Sequence, residues 1–174
     1  MRISPIVIVL LLLASGCVRP AEELLPIPAS IKGASRVAEV EVKVGRGAAA
    51  AVAAIDAKNS PTDATFAQLL ERNVREATEA AGLTSGRALK LVVEVDRVQT
   101  ANAAAAFLGR DDRLEGSVFV RDAATGESLG QLYVDIDRTN GGLMKALARI
   151  GSVRESLAKQ FGAEVAAALS AKKR

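Results

Sequence analysis

Two pairs of carboxylates stand at alternate positions: Glu94 with Asp96, and Asp135 with Asp137. On a strand, each pair would share one sheet face. Two such groups could flank a sugar as acid and base, or supply oxygens to calcium. They alternate, however, with Val93, Val95, Val134 and Ile136. That puts them opposite the core, where charge belongs without any chemistry. Composition closes most other routes. The chain has no His, which excludes Ser-His-Asp and Cys-His nucleophiles and His-ligated zinc or iron. Cys17 is the sole cysteine, so no disulfide forms within the chain. With no Trp, the aromatics are Phe66, Phe107, Phe119, Tyr133 and Phe161, a thin supply for stacking sugars or bases. Gly126, Gly130, Gly141 and Gly142 fit no phosphate loop. No catalytic residue, cofactor or metal site is expected. A carboxylate-dependent periplasmic hydrolase stands as the alternative.

The start of the chain carries the clearest signal. Arg2 is followed by an uninterrupted apolar run, Ile6–Leu13, and by the small residues Ala14, Ser15 and Gly16 before Cys17. The run is too short to span a bilayer stably and has the layout of a secretory signal. The segment resembles a bacterial lipoprotein signal, with Cys17 as first mature residue and lipid (palmitate) attachment site. Ala14 stands where such signals usually have Leu, and Leu13 sits one place earlier. Val18 follows the cysteine. The resemblance implies an anchor in the outer membrane, with the protein on the periplasmic face.

Three divisions follow: a signal peptide, 1–16; a lipid anchor and flexible tether, 17–34; and a single domain, 35–174. Pro20, Pro26 and Pro28 lie in the tether, which shows little periodicity. It would reach about 55–60 Å at full extension. The formal charge of the whole chain is +3, which gives no argument for nucleic acid.

Within the domain, Ala38, Val40, Val42 and Val44 alternate with charged residues as a first strand. The alanine run 48–57 reads as a loop or a loose turn. Ser60-Pro61-Thr62-Asp63 opens a helix whose apolar stripe is Phe66, Leu69, Leu70, Val74, Ala77 and Ala81, with Gly82-Leu83 as its C-cap. Strands follow at Leu89–Val95, Leu114–Val120 and Leu132–Ile136, the last two joined by the turn Asp122–Gly126. Ser152 and Glu155 box the start of a last helix with Leu157, Phe161, Val165 and Leu169 on one stripe. The order β-α-β-β-β-α predicts an α+β two-layer sandwich, a mostly antiparallel four-stranded sheet with two main helices on one face. Phe66, Leu70, Val74, Leu91, Val93, Val118, Val134, Leu157 and Phe161 are its expected core.

This chain resembles a family of uncharacterised bacterial outer-membrane lipoproteins, a domain of unknown function. The residues that carry the likeness are Leu13–Cys17, the opening valine strand, the helix Phe66–Gly82 and the stretch Leu114–Gly126 with its D-x-x-T-G turn. More loosely, the element order is similar to the sandwich of penicillin-binding-protein activator lipoproteins and of the TolB amino-terminal domain. The family implies membrane attachment through Cys17 and a periplasmic domain, and no catalytic residues. The expected role is a non-enzymatic binding or envelope-assembly module with a protein partner in the envelope. Its candidate contacts are Phe107 and Leu108 in the connection 99–112, and Phe119 and Tyr133 on the outward sheet face beside Leu129. An apolar centre among charges is an interface composition. A further helix or the tether would equally account for those aromatics by covering them.

Overall fold

A computed structural model describes residues 19–58, 63–100, 112–138 and 153–170. Eight elements follow in order: β1 (Glu22–Leu25), β2 (Ser35–Val44), α1 (Arg46–Asp56), α2 (Phe66–Ala80), β3 (Arg87–Gln99), β4 (Asp112–Asp122), β5 (Ser128–Arg138) and α3 (Val153–Leu169). The sheet has five strands, in the order β1-β5-β4-β3-β2. Three neighbouring pairs are antiparallel, but β2 and β3 run parallel. The expected α+β class therefore holds, while the four-stranded sheet needs two corrections. A fifth strand lies at the edge, and the β2–β3 crossover makes one pair parallel, as a strand–helix–strand connection requires.

The core is the layer between sheet and helices. Leu89, Leu91, Val93 and Val95 alternate toward it from β3, and Leu114, Val118 and Val120 from β4. All nine residues expected in the core are fully buried. Phe161 of α3 lies over β4, where a Cβ on Gly116 would come within 3.2 Å of its ring. At Gly162, α3 meets α2 so closely that a Cβ would stand 2.5 Å from the Asn73 carbonyl oxygen.

Helix ends follow local chemistry, though not always where expected. The α2 cap is Thr65 rather than Ser60, which lies outside the described residues. The Thr65 hydroxyl accepts from the Gln68 amide (3.3 Å), and the Gln68 side chain accepts from the Thr65 amide (2.9 Å). The Phe66 amide donates to Asp56 at 2.8 Å, satisfying another donor that the helix leaves unpaired. At the other end, Gly82 takes φ +83°. The amides of Gly82 and Leu83 bond to the carbonyls of Glu79 and Thr78, a complete Schellman closure. The alanine run expected as a loop is the helix α1, with Ala48 and Val52 buried one turn apart. Alanine loses no side-chain freedom on becoming helical, and the adjacent β3 supplies the surface that the sequence alone does not reveal.

The largest correction concerns the tether. Residues 22–25 form β1, in register with Tyr133, Leu132 and Gln131 of β5. Ile27 and Ile31 are 4% and 3% exposed. Glu23 accepts from the Ile27 amide at 3.1 Å and pairs with Lys32; the Lys32 bond leads in holding its carboxyl below the usual range. The Gly33 amide donates to the Leu169 carbonyl at 2.9 Å, tying this segment to the end of α3. The domain thus begins well before Ser35. Prolines at 20, 26 and 28 suit an edge strand and its turns as readily as a linker. β3 ends, β4 begins and β5 ends at one end of the sheet, where Gln99 opposes Arg113 and Asp112 opposes Arg138; residues 101–111 and 139–152 lie outside the described residues.

Two stability measurements check this packing. Gly162→Ala raises helix propensity by about 1 kcal/mol, but its methyl group meets backbone at Asn73; a net loss of about 1–3 kcal/mol is expected in chemical denaturation. A gain would mean the helices stand further apart. Ile27→Ala should cost about 2–4 kcal/mol, lowering the melting midpoint by about 2–4 °C for each kcal/mol. An unchanged midpoint would restore the tether reading.

Candidate functional site: the open sheet face

The sheet face away from the helices is organised in rows, because the strands are in register. One row runs Glu41, Val92, Phe119, Gln131, Leu25 across all five strands. The next runs Lys43, Glu94, Ser117, Tyr133, Glu22. Phe119 and Tyr133 are half-buried. Phe119 thus stands beside Val92, with Leu25 at the edge of the same row. No described helix covers them, and the supposed tether extends the sheet sideways as β1 instead of lying over its face. Leu129, expected beside them, is buried and belongs to the core. Leu25 was not legible as part of this surface, since only the pairing of β1 with β5 brings it there.

Charges frame the apolar row on both sides. On one side, Lys90 bridges Glu39 (2.7 Å) and Glu41 (2.9 Å). These bonds raise the Lys90 pKa, the Glu39 bond most, and the Lys90 bond leads in lowering that of Glu41. On the other side, Arg113 grips both oxygens of Asp135, at 3.1 and 2.9 Å. Its Nε also lies 2.6 Å from Glu115, which Arg97 approaches at 3.3 Å. The Tyr133 hydroxyl donates to Glu115 at 2.8 Å. Burial and this bond push the phenol up to about 12, so it stays protonated at neutral pH. Asp135 and Glu115 have only 12% and 13% of their side chains exposed. Their neighbours, more than any cavity, account for that shielding.

The carboxylate pairs can now be judged by geometry. Asp135 is held by an arginine fork, which takes one acceptor site on each of its oxygens and stabilises the charged form. Asp137 is opposite Arg113 in the register. Asp96 stands at a bulge in β3 and accepts from the Ser117 hydroxyl at 3.2 Å. No group of three or more potential metal-ligating side chains occurs among the described residues. The arrangement can present fixed charges around an apolar strip: Glu115 and Asp135 face arginines, Asp96 a serine, and Glu39 and Glu41 a lysine. A separate open groove of about 330 Å³ lies between α2 and α3, lined by Arg72, Glu76, Glu155 and Lys159. Of the remaining predicted site residues, Cys17, Phe107 and Leu108 lie outside the described residues.

The D-x-x-T-G stretch acts as a turn. One Asp122 oxygen accepts from the amides of Ala124 and Thr125 (both 2.9 Å) and from the Thr125 hydroxyl (3.2 Å). The other oxygen takes the Arg87 guanidinium at 2.6 Å. The Arg87 bond, followed by the Thr125 amide, brings the carboxyl down to about 2 from 3.8.

No protein-family profile and no curated protein matches the chain. Among solved structures, protein XCC0632 from Xanthomonas campestris, of family DUF330, is 17% identical and has a TM-score of 0.51. The match covers 84% of this chain and 90% of that one. A PelC dodecamer subunit from Paraburkholderia phytofirmans is 14% identical, with a TM-score of 0.48 over 90% of this chain and all of its own. The first match shows a shared fold, and agrees at that level with the resemblance to a domain of unknown function. The likeness to penicillin-binding-protein activators and TolB has no counterpart in these structures.

The depressed Asp122 pKa sets a pH window. Its contribution to stability is complete above the unfolded value near 4 and is lost as pH falls toward 2. Asp122→Asn should therefore be less stable than wild type above pH 5, and the gap should shrink between about pH 4 and pH 2. A gap independent of pH in acid denaturation would show that the charge does not hold the turn.

Proposed function

We propose that this protein is a lipoprotein held at Cys17 on the periplasmic face of the outer membrane, and that it works as a binding or envelope-assembly module without catalysis. Its partner, an envelope protein, docks on the open sheet face. The observation that carries this reading is the row Val92–Phe119–Gln131–Leu25, an apolar strip between two rims of mutually paired charges. Interfaces take that form, with an apolar centre that excludes water and a polar rim that sets register. The rim charges are already oriented by their own partners, so little ordering remains when a partner binds. The lipid attachment site rests on the signal-like run ending at Cys17. Two or three acyl chains at that cysteine would anchor stably where one would not.

The competing reading is a hydrolase using Glu94, Asp96, Asp135 or Asp137. The fork from Arg113 to Asp135 argues against it, since it takes one acceptor site on each oxygen and stabilises the charged form. A photo-crosslinking residue at Gln131 in intact cells should capture an envelope protein, and Phe119→Glu should cut that capture several-fold with the melting midpoint unchanged. The same residue at Arg72, on the helix side, should capture none of it. Equal capture from both faces would refute the sheet-face reading. Substrate turnover abolished by Asp135→Asn in a folded protein would establish the hydrolase instead. Cys17→Ala that still fractionates with membranes at unchanged size would refute the anchor.

A further inference from the structure

The leash between the anchor and the folded body is three residues long, Val18 to Pro20. Ala21 packs against the core, and Glu22 is paired with Tyr133. From Cys17 to Ala21 the chain reaches at most about 14 Å. Its direction is also fixed. Because β1 is antiparallel to β5, the chain upstream of Glu22 heads toward the end of β5 that carries Asp135 and Asp137. The Arg19 guanidinium lies 3.8 Å from Asp135, on that course. From the level of Tyr133 to that of Asp137 is about 14 Å of strand. Ala21 already stands one residue nearer that end than Glu22, so the leash slightly exceeds the sheet left to span. Cys17 can draw level with the sheet end formed by Gln99, Arg113 and Asp137, and can go little further. The opposite end, at the turn after Asp122, lies roughly 35 Å away along the strands.

We infer that the domain stands on the bilayer with the Gln99–Arg113–Asp137 end down and its strands steeply inclined, docked against the headgroup layer that holds its own lipid. The inference rests on the lipidation of Cys17 proposed above. The docking force is the covalent anchor on a short leash. Among the described residues at this end, Arg97 and Arg113 are matched by Glu115 and Asp135. The open face then stands upright like a wall. Phe119 sits about 20 Å above the surface, where a neighbour in the same membrane meets it from the side.

The absence of tryptophan from the chain makes the orientation measurable. Full-length lipidated Gln99→Trp and Ala124→Trp variants, both at exposed sites, are placed in phosphatidylethanolamine–phosphatidylglycerol vesicles containing a headgroup-spin-labelled lipid. Fluorescence of Gln99→Trp should be quenched several-fold more than that of Ala124→Trp, at low and high salt alike. Thr100→Trp serves as the near-end probe if Gln99→Trp lowers the melting midpoint. Inserting ten Gly/Ser residues between Val18 and Arg19 should abolish the difference. Equal quenching at the two ends, in protein whose mass carries the lipid on Cys17, overturns the orientation alone. A difference that survives the insertion overturns the leash as its cause. A mass without lipid overturns both the anchor and the orientation.

Discussion

The seating of α3 on the sheet is the contact on which the other layers depend. Phe161 fills the space above Gly116, while Gly162 lets the α2 backbone approach at Asn73. One helical residue thus reaches the sheet and the next admits the neighbouring helix. Interiors are packed densely enough that a single added methyl at such a point is felt. The same helix closes the N-terminal segment, because its last carbonyls include Leu169, the acceptor for Gly33. Sheet, helix layer and N-terminal edge therefore share one element. The crossover β2–α1–α2–β3 has to bring α2 to that position, and the parallel pairing of β2 with β3 follows from it.

With one face fully occupied by helices, the other face of the sheet carries the remaining side chains of every strand. Its charges are paired across strands at near-ideal distances: Lys90 with Glu39 and Glu41, Arg113 with Asp135 and Glu115. Such exposed pairs contribute little each to stability. Their effect is geometric, since each long side chain is held in place beside the strip of Val92 and Phe119. The carboxylate pairs take the place that their alternation with core residues predicts, on the face away from the helices. Glycoside chemistry needs two carboxyl groups facing a common space, and here Asp135 faces an arginine.

Much of this arrangement is legible in the residues. The alternation of Leu89–Val95, Leu114–Val120 and Leu132–Ile136 specifies which face of each strand is buried, because the side-chain period of a strand is two. The stripe Phe66, Leu69, Leu70 and Val74 and the stripe around Phe161 mark the inner faces of two helices, while Ala81 is exposed and Thr78 is buried in its place. The Asp122–Gly126 turn is readable for the same reason, its chemistry being local. Three features are not local, and they escape. The helix α1 is a run of alanines with only Ala48 and Val52 buried, and it depends on β3 for that burial. The cap of α2 is Thr65, where Thr65-x-x-Gln68 competes with the equally plausible Ser60-Pro61. The edge strand β1 has four residues, all exposed, so it carries no alternating pattern. What places it is the buried pair Ile27 and Ile31 downstream, set among prolines that resemble a linker. Leu25 then reaches the open face through pairing with Gln131, a contact more than a hundred residues away in sequence.

The N-terminal segment consequently has two roles that oppose one another. As sequence it is long enough to let the domain roam, about 60 Å at full extension from Cys17 to Ser35. As structure it is spent on β1, on the turn around Ile31 and on the bond from Gly33 to Leu169, and only three residues, Val18 to Pro20, remain between the cysteine and the body. Leash length is therefore a property of stability and not of composition. Each buried isoleucine contributes about 1.5–3 kcal/mol of apolar burial, opposed by the entropy of ordering the segment. Any change that weakens Ile27, Ile31 or the Glu23–Lys32 pair lengthens the leash before it unfolds the sheet, because β5 keeps its other neighbour, β4, when β1 detaches. Local release of an edge strand needs less free energy than global unfolding. If Cys17 carries lipid as proposed, height above the membrane and access to the open face are both coupled to the same few contacts at the edge of the sheet.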